Sequence, residues 1–336
     1  MGSAAVCSRV CPSATAYVYL CRSRRVSLLE IQGMWLNLLA ALWASPLVTA
    51  TGEPGDLCPS PNQLSPCTCG GPATFILLSC DRIPDLGTLR RSFQAYFPRR
   101  QLGKLSLINS EFASLDRTTL HVSFEFIEVH KTNLRSIETG SFDSSIERLR
   151  RLEITHNNLE KFPFKDFKSF PNLESLILRY NELKSIPDEA LSGHSRLQKI
   201  DLSFNKISYI GSNAFKNMGA LESLDLRYNK LAVVNNLAFS SSWYSPKYAI
   251  DLSNNRIIKM ADDAFHSVLP SVLNLTSNNL KDLSERQFGP MMNGMAERGS
   301  GLLMLAKNDD DDIAVSCLII RYKIISGKIP KSRDHG

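Results

Sequence analysis

Residues 173–183 read LESLILRYNEL, and the same pattern recurs in LRRLEITHNNL at 149–159, LQKIDLSFNKI at 197–207 and LESLDLRYNKL at 221–231. The shared form is L-x-x-L-x-L-x-x-N-x-L. Its asparagines stand 24 residues apart, at Asn157, Asn181, Asn205 and Asn229. A constant period superimposes equivalent apolar positions when successive turns of the chain stack on one another. The sequence therefore predicts a solenoid, which grows by adding repeats, in place of a single compact core.

The spacing within one unit predicts a role for each position. Apolar residues are predicted to fill one slice of the core, as with Leu173, Leu176, Leu178, Leu183 and Ile186. The anchor asparagine is predicted to turn the chain and to hydrogen-bond backbone groups that would otherwise be buried without partners. Ten residues beyond each anchor stands another large apolar residue. These residues are predicted to stack along the convex side: Phe167, Leu191, Phe215 and Phe239.

Weaker copies of the unit extend the array in both directions. Ser110 and Thr132 occupy the anchor position upstream, and Asn255 and Asn278 occupy it downstream. The pattern resembles the leucine-rich repeat, in which each unit supplies one short strand and a turn. The resemblance implies an α/β-type leucine-rich-repeat solenoid, a curved horseshoe with parallel strands on the concave face and turns and short helical segments on the convex face. We expect about eight repeats within residues 99–300.

Residues 1–50 are predicted to be a leader and signal peptide. The stretch 34–48 is mostly apolar, basic residues precede it, and the small residues at 48–50 suit a signal peptidase. We expect the mature chain to begin near Thr51 and to lack residues 1–33. A signal anchor or transmembrane helix is the alternative, but asparagine and proline interrupt the apolar run. The pattern favours secretion, with no membrane span after signal removal.

Residues 51–98 are predicted to form a cysteine-rich N-terminal cap. Cys58, Cys67, Cys69 and Cys80 precede the repeats in a chain with a predicted secretory signal, which favours disulfides over zinc. A zinc site would also require a different spacing from this C-x-C pair. The cysteine spacing resembles the N-terminal flanking module of extracellular leucine-rich-repeat proteins. That resemblance implies pairing of Cys58 with Cys69 and of Cys67 with Cys80.

Residues 301–336 are predicted to be a degenerate C-terminal cap and a basic tail. The segment 303–308 resembles the start of a last strand. The four aspartates at 309–312 lack the alternating frame of a calcium loop, so a solvated chain end is the favoured interpretation. Cys317 stands alone where extracellular members of this class carry paired cysteines.

The sequence contains no recognisable catalytic motif. There is no G-x-S-x-G elbow, H-E-x-x-H helix, phosphate loop or dinucleotide fingerprint. The six histidines are scattered, and His130 and His156 fall at strand ends, where a surface histidine is the ordinary interpretation. The formal charge of +6 over 336 residues is mild and spread along the chain. We therefore predict no enzyme, no metal, no cofactor and no nucleic-acid partner.

Side chains that alternate with the inward leucines are predicted to face the concave surface. The residue before each anchor supplies a row of rings, the next column includes two arginines, and the central column is largely acidic. Aromatic and arginine side chains on a rigid surface are typical anchors of a protein interface, although they could simply belong to the repeat consensus. The predicted partner-binding residues are His156, Arg179, Tyr180, Phe204, Arg227, Tyr228, Glu153, Asp201 and Asp225.

Asn274 and Thr276 form the one N-x-S/T sequence of the chain, and we predict glycosylation at Asn274. The repeat period puts Asn274 on the strand of the eighth unit. A glycan there would occupy that end of the concave face and direct a partner toward the second to sixth repeats.

Several phrases outside the repeat consensus resemble one arthropod family, the proteins similar to the non-catalytic subunit of Oplophorus-luciferin 2-monooxygenase. The phrases are CPSPNQLSPCTC at 58–69, RRSFQAYFP at 90–98, KFPFKDFKSFPNLESLILRYN at 161–181 and DIA at 312–314. The resemblance implies an extracellular binding subunit without catalytic residues. It does not imply that the partner is a luciferase, because the family extends beyond bioluminescence.

Two functional hypotheses follow. The first is a secreted module that binds an extracellular protein, as the non-catalytic subunit of a hetero-oligomeric complex. The alternative is a structural protein of the extracellular matrix or a glycan-associated repeat protein. An enzyme is disfavoured because no catalytic motif is present. A membrane-tethered receptor is disfavoured because the apolar residues Val315 to Ile320 are followed at once by Arg321.

Overall fold

The computed structural model describes residues 57–239, 247–281, 285–297, 301–308 and 318–319. The predicted leader and signal peptide, the four aspartates at 309–312, Cys317 and the basic tail lie outside the described residues.

In the described part of the chain, twelve strands form one continuous sheet. They are β1 (Cys67–Gly70), β2 (Leu77–Asp81), β3 (Gln101–Ile108), β5 (Ser123–His130), β7 (Arg151–Thr155), β8 (Ser175–Ile177), β10 (Lys199–Asp201), β12 (Ser223–Asp225), β14 (Ala249–Asp251), β16 (Val272–Asn274), β17 (Leu302–Met304) and β18 (Leu318–Ile319). Neighbours pair in that order, in parallel from β2 to β17 and antiparallel at the two end pairs. The predicted leucine-rich-repeat solenoid of parallel strands is confirmed.

Short strands follow the anchor positions and pair between neighbouring repeats. They are β4 (Ser114–Leu115) with β6 (Ser136–Ile137), β9 (Ser185–Ile186) with β11 (Tyr209–Ile210), and β13 (Val233–Val234) with β15 (Lys259–Met260). The helical segments are α1 (Pro61–Leu64), α2 (Leu86–Phe93), α3 (Glu285–Glu297) and two 3₁₀ turns, Asp143–Ser145 and Phe164–Ser169. Each repeat therefore buries little area alone and depends on its neighbours.

The apolar positions predicted from the period form the core. Leu173, Leu176, Leu178, Leu183 and Ile186 are all 0% exposed. The predicted convex row is also buried. The rings of its last two members stack, and Phe265 of the next repeat extends that stack. The ring centroids of Phe215 and Phe239 lie 5.9 Å apart, and those of Phe239 and Phe265 lie 5.1 Å apart. Burial of one large apolar side chain per repeat, a phenylalanine ring in most repeats and Leu191 in one, supplies the convex side with a continuous apolar layer.

The anchor asparagines join each repeat to the preceding one. The side-chain amide of Asn181 donates to the carbonyl oxygens of Ile154 at 2.8 Å and Leu178 at 3.0 Å. Its side-chain oxygen accepts from the backbone N–H of Leu159 at 3.2 Å. One buried side chain thus satisfies backbone groups in two repeats, which explains why a long polar residue occupies this core position.

The N-terminal cap closes the open edge of the first repeat. Cys58 is bonded to Cys69, and Cys67 is bonded to Cys80 across the antiparallel pair of β1 and β2. Both pairings implied by the resemblance are confirmed. Helix α2 follows, and the Asp85 carboxylate caps it by accepting from the backbone N–H of Thr88 at 2.8 Å.

The solenoid continues past the eighth anchor. Strand β17 pairs in parallel with β16, as expected for a last repeat strand. Helix α3 precedes it and buries Phe288, Met291 and Met295, whose spacing of three and four residues places them on one helical face.

Candidate functional site

Strand register arranges the concave side chains in columns. The central column takes one residue from each strand between β3 and β16: Ser106, Glu128, Glu153, Ile177, Asp201, Asp225, Asp251 and Asn274. A second column contains Lys104, Phe126, Arg151, Ser175, Lys199 and Ser223 in the same strand order. Parallel strands lie about 4.8 Å apart, so side chains of one column are close neighbours.

The four predicted rings stack face to face just beyond the carboxyl ends of their strands. Ring centroids lie 4.3 Å apart between His156 and Tyr180, 4.3 Å between Tyr180 and Phe204, and 4.4 Å between Phe204 and Tyr228. The angles between ring planes are 18°, 14° and 13°. His130 extends this row with an edge-to-face contact of 4.8 Å to His156. The row His156, Tyr180, Phe204 and Tyr228 is called the ring row below.

The ring row occupies backbone that aromatic residues seldom adopt. The four φ angles are 55° for His156, Tyr180 and Phe204 and 54° for Tyr228. Every repeat requires this left-handed conformation before its anchor, and asparagine, which tolerates it better, stands there at Asn254. The aromatic residues of four successive repeats therefore adopt a backbone conformation that is unfavourable for them. Their mutual stacking offsets part of this conformational free-energy cost.

Arg227 links the ring row to the acidic residues Asp201, Asp225 and Asp251 of the central column, which are called the acidic column below. Its guanidinium carbon lies 6.0 Å from the Phe204 ring centroid, and its Nε lies 3.2 Å from the Asp225 carboxylate. Tyr180 and Tyr228 remain 38% and 47% exposed, and Arg179 and Arg227 are exposed beside them. Broad rings and guanidinium groups thus meet solvent together along one edge of the sheet.

His156 contributes to the ring row as a neutral ring. Partial burial is the main cause that lowers its pKa, and the nearby His130, Arg179 and Lys131 lower it further, against the opposing Glu153. Neutral imidazole stacks on Tyr180 without bringing another charge next to Arg179. The row therefore keeps its stacking at neutral pH.

Backbone N–H groups orient the carboxylates of the acidic column. Asp201, Asp225 and Asp251 each accept a hydrogen bond from the backbone N–H two residues later, at 3.1, 3.1 and 2.9 Å. Burial, together with the neighbouring Asp201 and Asp251 carboxylates, raises the pKa of Asp225 to about 7, although Arg227 opposes the rise. Like charges on adjacent strands repel, so one of the three carboxylates holds its proton more readily.

A concave pocket lies over the first strands and includes residues that the sequence analysis did not single out. Its lining combines Glu153, Arg179 and Asp201 of the predicted set with Phe75, Lys104, Phe126, Ile127, Glu128, Arg151, Ile177 and Lys199. Alternation along β5 and β7 was the signal for Phe126 and Arg151. Phe75 gave no such signal, because it precedes β2 in a turn.

Asn274 lies on β16 in the central column, and it is 8% exposed. Its side-chain oxygen accepts from the backbone N–H of Thr276 at 3.1 Å. Glycosylation at Asn274 stays a prediction. Because the Asn274 side-chain amide is buried, a glycan would have to be transferred to it before the eighth repeat folds.

Two features are absent from the described residues. No helix in those residues is both long and apolar enough to cross a bilayer. The same residues contain no cluster of three or more histidine, cysteine or acidic side chains arranged to hold a metal ion.

Comparison with known proteins agrees with the fold. The family model described as Leucine rich repeat matches residues 125–183, 147–207, 171–231 and 195–241. The chain is also 28% identical over 123 residues to the Oplophorus-luciferin 2-monooxygenase non-catalytic subunit of Oplophorus gracilirostris. That similarity covers 35% of this chain and 34% of the relative, so it spans about a third of the relative's length.

The hydrogen-bonded anchor asparagines of successive repeats form a row that is called the asparagine ladder. This ladder, the repeat period, the parallel sheet and the family match overlap in the same segment of chain. The sequence resemblance to the non-catalytic subunit is likewise supported by a direct similarity. The chain therefore has the leucine-rich-repeat solenoid fold, and over about a third of its length it is similar to the non-catalytic subunit of Oplophorus-luciferin 2-monooxygenase.

Proposed function

We propose that this chain is a secreted, non-catalytic module that binds another extracellular protein through its concave sheet and the ring row at the sheet edge. The observation that carries the proposal is the unbroken stack of four rings between His156 and Tyr228 in left-handed backbone. The fold needs only the backbone turn at these positions. A role in binding would explain why the side chains at these positions are aromatic.

The ring row has the properties of an interface anchor. Its members are held by stacking before a partner arrives, so little side-chain entropy is lost on binding. Exposed Arg179 and Arg227 supply planar cations next to the rings. Tyrosine and arginine are the residue types most often found to dominate binding free energy in protein interfaces.

Other observations support an extracellular and non-enzymatic role. The cap carries two disulfides, which persist in oxidising compartments. The similar protein is named as a non-catalytic subunit. Membership of this chain in a hetero-oligomeric complex follows from the proposal by analogy with that name.

A glycan-associated or matrix role fits the ring row less well. Sugars usually stack on the open face of an aromatic ring, but here neighbouring rings cover each other's faces at 4.3 to 4.4 Å. The edges of the rings are what the solvent meets. Edges suit the side chains and backbone of a protein partner.

Affinity capture from the secreted fluid of the source tissue tests the proposal. The wild-type chain is expected to retain a soluble protein that the double variant Tyr180→Ala, Tyr228→Ala does not retain. Tyr209→Ala is the matched control, because Tyr209 is 46% exposed but belongs to the short strand β11. Recovery of the native chain only from insoluble matrix, with equal capture by all variants, would support the structural role instead.

A further inference from the structure

A second pocket lies at the amino-terminal ends of the first repeat strands, on the opposite edge of the sheet from the ring row. Its volume is about 530 Å³, within the range of about 300 to 1,000 Å³ of ordinary ligand sites. Its polar and loop lining comes from the turn before β2, the start of β3 and the turn before β7: Thr74, Pro98, Arg99, Arg100, Gln101 and Arg148. It is called the cap-edge pocket below.

The lining of the cap-edge pocket is cationic. Arg99, Arg100 and Arg148 line it, and no acidic side chain of the described residues does. One carboxylate is paired with the lining, because Nη2 of Arg148 donates to Oε1 of Glu125 at 2.5 Å. Subtraction of the Glu125 charge still leaves an excess of two positive charges at the pocket.

Arg148 carries a hydrogen-bond donor that no protein group uses. Its second terminal nitrogen, Nη1, is buried and has no hydrogen-bond partner among the described residues. The side chain as a whole is 25% exposed, so the guanidinium lies at the wall of the pocket. An anionic oxygen that entered the pocket would satisfy this donor.

Arg99 and Arg100 present their donors from one short segment. Nη1 of Arg99 donates to the backbone carbonyl of Ala73 at 2.8 Å, which fixes this guanidinium beside the turn before β2. A guanidinium has five N–H donors, so most of those on Arg99 are available to a ligand. Both arginines are exposed, and neither forms an ion pair within the described part of the chain.

The charge of Arg100 acts on its surroundings. Burial is the main cause that lowers the pKa of His121, and Arg100 lowers it further, against the opposing carbonyl group of Phe93. The charge that acts on His121 is thus positive. This agrees with an excess of cationic groups at this edge of the sheet.

An exposed aromatic ring stands next to the cap-edge pocket. Tyr96 is 76% exposed and stands two residues before Pro98, so their Cα atoms lie within about 8 Å of each other. Unlike the members of the ring row, Tyr96 makes no contact with another aromatic ring of the described residues. Its ring therefore has an open face, on which a sugar can stack.

The chemistry of the pocket selects a class of ligand. Guanidinium groups bind sulfate, phosphate and carboxylate oxygens through paired N–H donors. Three arginines around one space can hold more than one such group, and the open ring of Tyr96 adds a place for a sugar. Sulfated polysaccharides combine repeated oxyanions with sugar rings, and they occur outside cells.

We infer that the cap-edge pocket binds a sulfated glycan, with sulfate groups against Arg99, Arg100 and Arg148 and a sugar ring against Tyr96. The inference rests on the extracellular location in the proposed function, and it adds a second class of ligand at a different edge of the sheet.

The two sites can be occupied independently. Arg148 precedes strand β7 and His156 follows it, and the five residues of that strand span about 16 Å. A glycan at the amino-terminal edge therefore leaves the ring row accessible to a protein partner.

Fluorescence anisotropy with a labelled, fully sulfated heparin tetrasaccharide tests the inference on the full chain. The comparison probes are the same tetrasaccharide without sulfate, a hexaglutamate peptide and a thymidine hexanucleotide. The sulfated probe is expected to bind, and each comparison probe is expected to bind at least tenfold more weakly.

The double variant Arg99→Gln, Arg100→Gln removes two exposed guanidinium groups and is expected to weaken the sulfated probe at least tenfold. The double variant Arg99→Lys, Arg100→Lys keeps both charges but loses the forked donors, so it is expected to bind severalfold more weakly than wild type. Tyr96→Ala is expected to weaken the same probe severalfold.

The matched control is the double variant Arg135→Gln, Arg256→Gln, because it removes two exposed arginines outside the pocket lining. Its affinity for the sulfated probe is expected to change less than twofold. Equal losses in the two glutamine variants, or equal binding of the three polyanions, would show binding to net charge alone and overturn the inference. Tighter binding of hexaglutamate that is also lost in the pocket variant would overturn it in favour of an acidic protein segment.

The glycan assay and the capture assay fail separately. Loss of partner capture in the tyrosine double variant, without selective binding of the sulfated probe, would leave the proposed function standing and overturn the glycan site. Selective binding that only the pocket variant loses, with capture unaffected by the tyrosine substitutions, would retain the glycan site and overturn the role of the ring row.

Discussion

The side-chain oxygen of Asn157 accepts two hydrogen bonds from Thr132 in the preceding repeat, one from its backbone N–H at 2.8 Å and one from its hydroxyl at 2.9 Å. The amide nitrogen of Asn157 donates to the carbonyl oxygens of Val129 and Thr155. The anchor residues of two neighbouring repeats, Thr132 and Asn157, are thus hydrogen-bonded to each other. These bonds connect the upstream repeats, which match the consensus poorly, to the regular repeats.

Asn157→Ala is expected to lower the free energy of unfolding by about 1 to 3 kcal/mol, because it leaves several buried backbone groups without partners. Urea unfolding followed by circular dichroism measures the change. Asn158→Ala is the matched control, since the Asn158 side chain is half-buried and lies outside the ladder. Equal losses for the two neighbours would refute the ladder's contribution.

The two disulfides are expected to differ in their accessibility to reductant. Cys67 and Cys80 are 4% and 0% exposed, whereas Cys58 and Cys69 are half-buried. Mild reduction followed by alkylation and mass spectrometry should label Cys58 and Cys69 first. Full reduction should then lower the melting temperature, because each bridge contributes about 2 to 4 kcal/mol. Simultaneous labelling of all four cysteines, or an unchanged melting temperature, would contradict this account of the cap.

Asp225→Asn is expected to reduce the loss of the free energy of unfolding that accompanies a rise in pH. The folded-state pKa of Asp225 is raised to about 7 from 3.8, so the favourable contribution of its protonated form is complete below pH 3.8 and is lost as pH rises through about 7. Urea unfolding at pH 5 and pH 8 should therefore show a smaller decline for the variant. Asp262→Asn, on an exposed aspartate, is the control and should decline as the wild type does.

His194 is expected to act in the opposite direction. It is 5% exposed, and burial is the main cause that lowers its pKa, although the carbonyl groups of Phe167 and Phe170 partly oppose the shift. The neutral ring therefore stabilises the fold above pH 6.5, and that contribution is lost as pH falls below this value.

Comparison of His194→Phe with wild type at pH 7.5 and pH 5 tests this. The wild type should lose more of its free energy of unfolding on acidification than the variant does. His266→Phe, at an exposed position, should behave as the wild type. An identical pH response in all three proteins would contradict the effect of His194.

The regular repeats could be predicted in detail from sequence because one period fixes register, core and anchor together. Asn181 and Leu178 hold the positions that the pattern assigned to them. Ser110 was recognised only as an anchor substitute, and its hydroxyl accepts from the backbone N–H of Ile83 in the cap. Contacts with an irregular segment have no period from which to predict them.

The same limit applies to the candidate site. The columns of Asp201 and Arg227 follow from alternation, and the even spacing of the ring row follows from the period. The left-handed backbone at Tyr180 is a tertiary requirement of the turn, which residue type alone would not predict. Phe75 reaches the pocket only because a glycine on β3 lacks a side chain.

The most direct test of the central claim measures the dissociation constant of the captured partner for Tyr228→Ala and Tyr209→Ala, two tyrosines that are 47% and 46% exposed. Calorimetry or biolayer interferometry is suitable. If the ring row anchors the interface, Tyr228→Ala should weaken binding by about 2 kcal/mol or more, roughly thirtyfold, and Tyr209→Ala by less than about twofold. Equal losses, or a loss confined to Tyr209→Ala, would place the interface elsewhere and contradict the account.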